Sequence, residues 1–138
     1  MELYDFTIEE ASKAIAKGEI NSAELSEAIF GRIDSVEEKV HSFVTLNREA
    51  ALQQAKKAGE NVRENTSMKL AGIPLAIKDN ICTEGVRTTC SSKILENFIP
   101  PYESTVTQKL QGQGYVLVGK TNLDEFAMGS STENSAFG

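Results

Sequence analysis

The stretch AGIPLAIKDNI, residues 71–81, constrains this chain most: five apolar or ring residues from Ile73 to Ile77 run directly into an ammonium, a carboxylate and an amide at Lys78, Asp79 and Asn80. A run this short, rich in branched side chains and bounded by Gly72 and the polar triplet, reads as a buried strand. Downstream, STVTQKLQGQG reads as a helix starting near Ser104, and YVLVGK as a second short buried strand ending at Lys120. Strand, helix and strand at this spacing predict a βαβ unit, hence an α/β fold with a largely parallel sheet covered by helices. Functional groups in such sheets gather beyond the carboxyl ends of the strands. That rule places Lys78 and Lys120 together as candidates.

The front half predicts helices. Thr7 with Glu10 has capping-box spacing before ASKAIAK, and Gly18 is a natural stop. Asn21 with Glu24 repeats the signature before LSEAIFGRIDSVEEKV, where Leu25, Ile29, Ile33, Val36 and Val40 share a face and Gly31 weakens the helix interior. SFVTL reads as a short strand, and Asn47 as the cap of a third helix, REAALQQAKKAG, whose alanines suit close packing. The polar run from Glu60 to Lys69 reads as an exposed connection. The organisation expected is therefore a helical region over residues 1–65 and the start of an α/β core over residues 66–138. No internal repeat is visible. MGSSTENSAFG closes the chain as a loop-like segment, and two or so parallel strands leave open edges, so the chain is expected to be the front part of a larger protein.

Charge and hydropathy exclude several classes. A net charge of -6 without basic runs argues against direct nucleic-acid binding by these residues. No apolar run approaches the roughly 20 residues that cross a bilayer, and MELYDFTIEE has no leader-like core, so a cytoplasmic protein without a membrane partner is expected. Cys82 and Cys90 match no zinc spacing and read as reduced thiols packed as small hydrophobes.

A lysine at the end of an apolar strand, partly desolvated, can offer a neutral amine as a base; the alternative is a lysine that snorkels to water or pairs with Asp79. Lys120 is open to the same two readings, with Gly119 before it permitting a tight turn. Its GKT lacks the upstream glycine of a phosphate-binding loop. His41 reads as a surface residue. Asp124 and Glu125 read as cap and surface charges of a short helix capped by Asn122. The serines at 91, 92, 130 and 131 could be nucleophiles only with a base such as lysine, and GSSTENS forms no nucleophile elbow.

The segments AGIPLAIKDNI, TTCSSKILENFIPPYESTV and VGKTNLDEFAMGSSTENSAFG together resemble the amidase signature family. PPYESTV and TNLDEFAMGSSTENS are most similar to the branch formed by the A subunits of glutamyl-tRNA(Gln) and aspartyl-tRNA(Asn) amidotransferases. The resemblance is strong from Leu70 onward and weaker in the helical front. It implies a Ser-cisSer-Lys amidase in which Lys78 is the catalytic lysine, while both serines lie beyond Gly138. It implies a substrate-pocket loop at Met128, Gly129, Ser130 and Ser131, and supporting roles for Asp79 and Asn80 in fixing the turn and the amine. The activity implied is hydrolysis of glutamine to supply ammonia for converting a misacylated tRNA. The partners implied are the B and C subunits, with ATP and magnesium used by the B subunit and no cofactor or metal in this one. These residues alone are expected to be inactive. Another amide hydrolase of the family, a partner-docking module, and a self-contained serine and lysine hydrolase using Ser130 or Ser131 are the competing readings.

Overall fold

A computed structural model describes residues 2–61 and 68–138. Its elements are α1 (Ile8–Lys17), α2 (Ser22–Val40), β1 (Phe43–Leu46), α3 (Arg48–Asn61), β2 (Pro74–Lys78), α4 (Thr105–Gln111) and β3 (Val116–Thr121), with three short 3-10 turns. The expected connection from Glu60 to Lys69, and with it the division after residue 65, falls largely outside the described residues.

Local signals set the helix ends. Thr7 and Asn21 each accept from the backbone N–H three residues on, and Glu10 and Glu24 return the bond to the cap residue's own N–H. Each such cap contributes about 1 kcal/mol relative to alanine. Gly18 closes α1 in the left-handed conformation at φ 71°. Ser104 caps α4 by accepting from Thr107 N–H. Asn47 departs from expectation: its carbonyl receives Ala51 N–H, but its side-chain amide turns away from α3 and donates to Leu117 O at 3.3 Å. Gln54 accepts from Leu117 N–H at 3.0 Å, so two side chains at and within α3 satisfy β3 backbone that β1 does not reach.

The three strands form one mixed sheet in the order β1-β3-β2. β2 and β3 are parallel, with Ile77 beside Lys120 and Lys78 beside Thr121, and α4 lies in the crossover between them. β1 is antiparallel to β3. Central β3 is buried from Val116 to Lys120, whereas β2 alternates: Ile77 is buried and Ala76 and Lys78 are exposed. The uniform burial expected of both strands therefore holds only for β3.

Phe30, Ile33, Ala51, Ala55, Val116 and Val118 make one core between α2, α3 and β3. A second joins Ala11, Ile15 and Leu25 to Ile73, and a third groups Ile77, Tyr115 and Leu117. Ala51 and Ala55 are fully enclosed, as small residues at a close helix contact should be. The expected apolar face of α2 ends early, because Val40 is 59% exposed. His41 follows it as an exposed left-handed cap.

Gly119 also corrects expectation. It lies inside β3, not in a turn, and an added Cβ would meet Thr45 O of β1 at 2.5 Å. Its missing side chain lets β1 approach.

Candidate functional site

The alternation of β2 determines which way each group of the IKDN segment faces. Lys78 and Asn80 are exposed, while Ile77 and Asp79 are buried on the other side. Ile81 N–H donates to Lys78 O at 3.0 Å, closing a turn directly after the lysine, and Asp79 N–H donates to Thr121 O at 3.0 Å, prolonging the pairing with β3. Lys78 thus stands at the carboxyl end of a paired strand with its backbone held on both sides.

Opposite it runs the segment after β3. A cavity of about 190 Å³ lies between them, lined by Lys78, Asp124, Ala127, Gly129, Ser130 and Thr132 among others. Asp124 is 4% exposed and organises this wall. Its Oδ2 accepts from the N–H groups of Ser131 (3.0 Å) and Thr132 (2.9 Å), and its Oδ1 from that of Asn134 (3.0 Å). Those amides, Thr132 and Asn134 foremost, hold the carboxyl below its ordinary range, and the charge of Lys78 acts in the same direction. Gly129 has no room for a side chain, since a Cβ there would lie 2.5 Å from Asp124 Oδ2.

The four loop residues picked out from the sequence separate in space. Gly129 and Ser130 line the cavity. Met128 is 77% exposed, and Ser131 donates its backbone N–H to Asp124 and its hydroxyl to Glu133 Oε2 at 2.7 Å. Asn122 does not cap a helix; it accepts from Ser91 Oγ (2.9 Å) and Ser135 Oγ (2.6 Å) and donates to His41 O (3.2 Å), tying the loop down. A 3-10 turn at Glu125–Ala127 replaces the short helix, with Phe126 at φ 52°. Glu125 accepts from Ser92 Oγ at 2.5 Å.

Asp79 does not pair with Lys78. Its Oδ2 accepts from Thr89 N–H at 3.0 Å and from the Thr89 hydroxyl, and its Oδ1 lies 3.7 Å from Lys120 Nζ. Lys120, the penultimate residue of β3, is fully buried. It donates to Ile81 O at 2.7 Å and to Thr88 Oγ1 at 2.8 Å. Burial pushes its amine below the usual lysine range, and Asp79 opposes that shift. The two lysines that local sequence leaves equivalent are therefore opposite in setting: Lys78 faces a cavity and Lys120 faces the interior.

Sequence reasoning missed Asp124 as the organiser of the wall and Lys120 as a buried charge. Lys120 directly follows the apolar run from Tyr115 to Gly119, and nothing in that run says that the lysine is enclosed or which carboxylate lies near it. Cys82 and Cys90 are unpaired and partly exposed, and the Cys90 thiol is pushed up chiefly by burial. Among the described residues no group of three or more histidine, cysteine or acidic side chains could hold a metal ion, and no helix is long and apolar enough to cross a membrane.

The family model described as Amidase matches residues 24–138. Over 138 residues the chain is 56% identical to the A subunit of the glutamyl-tRNA(Gln) amidotransferase of Syntrophus aciditrophicus, covering 100% of this chain and 28% of that protein. It is 56% identical over 132 residues to the protein of the same name from Thermosynechococcus vestitus, covering 95% of this chain and 27% of the relative. Among solved structures, the peptide amidase of Stenotrophomonas maltophilia superimposes with a TM-score of 0.81 at 28% identity, over 88% of this chain and 26% of that one. A structure described as a vestigial protein complex revealing the origins of an s-triazine catabolic enzyme gives 0.89 at 30% identity, over 96% and 30%. The chain spans little more than a quarter of the curated relatives it matches.

Proposed function

The chain belongs to the amidase family, and on that premise we propose that it is the N-terminal part of the A subunit of a tRNA-dependent amidotransferase. The reading rests on one observation: 56% identity across the whole chain to the A subunit of a glutamyl-tRNA(Gln) amidotransferase. In this reading residues 1–65 are a helical front and residues 66–138 begin the catalytic α/β core. The whole protein hydrolyses glutamine and passes ammonia to a B subunit, which uses ATP and magnesium to activate the misacylated tRNA, while a C subunit helps hold the assembly together in the cytoplasm. The glutaminase itself carries no metal.

Lys78 is the base in this proposal. Its exposed position over the cavity leaves the amine able to reach serine hydroxyls contributed by residues outside the chain. A neutral amine would take a proton relayed through one serine as the other attacks the glutamine side-chain amide, and backbone amides would hold the oxyanion. Gly129 and Ser130 line the same cavity, and in this reading the loop they form with Met128 and Ser131 borders the substrate. Asp79 and Asn80 belong to the turn that fixes the Lys78 backbone.

A lysine amine becomes neutral on desolvation, whereas a guanidinium effectively does not. Lys78→Arg in the full-length protein, assembled with its partners, should therefore lower glutaminase turnover by at least about 100-fold. Turnover within about tenfold of the parent would overturn the assignment.

A further inference from the structure

The base mechanism gives no role to the most unusual side chain in the molecule, the fully buried Lys120. An ammonium in a central strand is costly unless paired, and a neutral side chain of similar length would fill the space with less penalty. Its partners are informative. Ile81 O and Asp79 lie immediately after Lys78, and Thr88 lies where the chain returns beneath them. Lys120 therefore clamps both ends of the 79–88 excursion beneath the exit of β2.

From that clamp a continuous set of bonds leads to the opposite wall of the cavity. Asp79 accepts Thr89 N–H on its carboxylate and Cys90 N–H on its carbonyl at 2.9 Å. Thr89 Oγ1 accepts Ser91 N–H at 3.0 Å. Ser91 Oγ donates to Asn122 and accepts Leu123 N–H at 3.1 Å, while Cys90 O accepts Phe126 N–H at 2.9 Å. Residues 122–126 bracket Asp124, whose carboxylate holds the loop that faces Lys78. Cys90 and Ser91 both sit in the left-handed region, at φ 51° and 52°, a conformation kept by the bonds around it.

We propose that Lys120 is a positioning residue for amide hydrolysis: through Asp79 and the 88–91 segment it fixes the Lys78 turn and the Asp124 loop at one separation. This rests on the reading of Lys78 as the base. Lys120 itself does not touch the cavity, so substrate binding should depend on it less than turnover does.

The test uses the full-length protein in its assembled complex and the variants Lys120→Met, Asp79→Asn and Thr88→Val, the last two each removing one partner with little change of shape. In variants that assemble and keep the parental circular dichroism spectrum, kcat for glutamine should fall by about 10- to 100-fold while KM stays within about threefold. Acetylation of Lys78 by acetic anhydride, read by mass spectrometry against exposed Lys109 in the same molecule, should change by at least about threefold. Should Lys120→Met fail to assemble, Asp79→Asn and Thr88→Val carry the test. Parental kcat in assembled variants overturns the proposal, and so does an unchanged Lys78 to Lys109 labelling ratio. The labelling readout is independent of activity, so a complex in which Lys78→Arg retains turnover would refute the assignment of the base and leave the positioning claim to be judged by labelling.

Discussion

Replacing Gly119 by alanine would insert a methyl group into the β1–β3 seam, 2.5 Å from Thr45 O, 3.0 Å from Phe43 Cδ1 and 3.2 Å from Leu46 Cα. Two of those atoms are backbone, so the strain cannot be relieved by a rotamer change. Either β1 separates from β3 or the central strand bends. Overpacking of this kind costs about 1–3 kcal/mol. Losing one or two of the ladder bonds around the Leu46 and Gly119 pair adds about 1 kcal/mol each, for a total near 3 kcal/mol. With a urea m-value of about 2 kcal/mol/M the unfolding midpoint should fall by about 1.5 M. Gly31 supplies the internal control, because it is an exposed helical glycine with nothing within 4 Å of an added Cβ. Gly31→Ala should stabilise by up to about 1 kcal/mol. Both are measured by urea titration followed by far-ultraviolet circular dichroism. A Gly119→Ala midpoint within about 0.3 M of the parent, with Gly31→Ala behaving as expected, would refute the claim that close approach of β1 explains Gly119.

Three further outcomes are expected. The Asp124 carboxyl is held low in the folded state by the N–H groups of Thr132, Asn134 and Ser131, so the stability it contributes is present above the unfolded value of about 3.9 and is lost as pH falls through the folded one. Asp124→Asn should abolish that part of the acid transition and strip hydrogen-exchange protection from Thr132 and Asn134; retained protection would contradict it. Gly129→Ala forces the Asp124 carboxylate out of the space a Cβ needs, so it should open the same loop and, on the proposed reading, lower amide-hydrolysis turnover of the full-length protein by at least about tenfold. Burial, aided by Glu103, pushes the Tyr115 phenol up to about 12, so an absorbance titration should show one of the three tyrosines ionising near that pH, and Glu103→Gln should bring it down.

The features legible beforehand are those whose partners lie within one turn of chain. Thr7 finds Glu10 and Asn21 finds Glu24 at a spacing of three, and the αL stop at Gly18 needs no tertiary neighbour. The parallel β2–β3 pair with its crossover helix also follows from alternating runs of fixed length. Asn47 and Asn122 mark where local patterns stop deciding: both have cap-like local sequence, yet Leu117 lies 70 residues from one and Ser91 31 residues from the other, and those bonds prevail. Val40 fails for a related reason, since periodicity continues along a helix after the neighbouring core has ended.

Lys78 and Lys120 divide along the same line. Composition, spacing and the GIPLAIKDN segment by themselves determined an α/β core with a lysine at the carboxyl end of its first parallel strand. Composition and spacing could not separate that lysine from Lys120, because each follows an apolar run; only the resemblance carried by GIPLAIKDN singled out Lys78. Sheet order made the difference. Placing β3 between β1 and β2 covers Lys120 on every side and brings Asp79, Ile81 and Thr88 to its amine. The edge position and pleat of β2 leave Lys78 facing a cavity walled by the Asp124 loop. Burial is a property of the neighbours a strand acquires, and those neighbours are chosen only when the chain closes on itself.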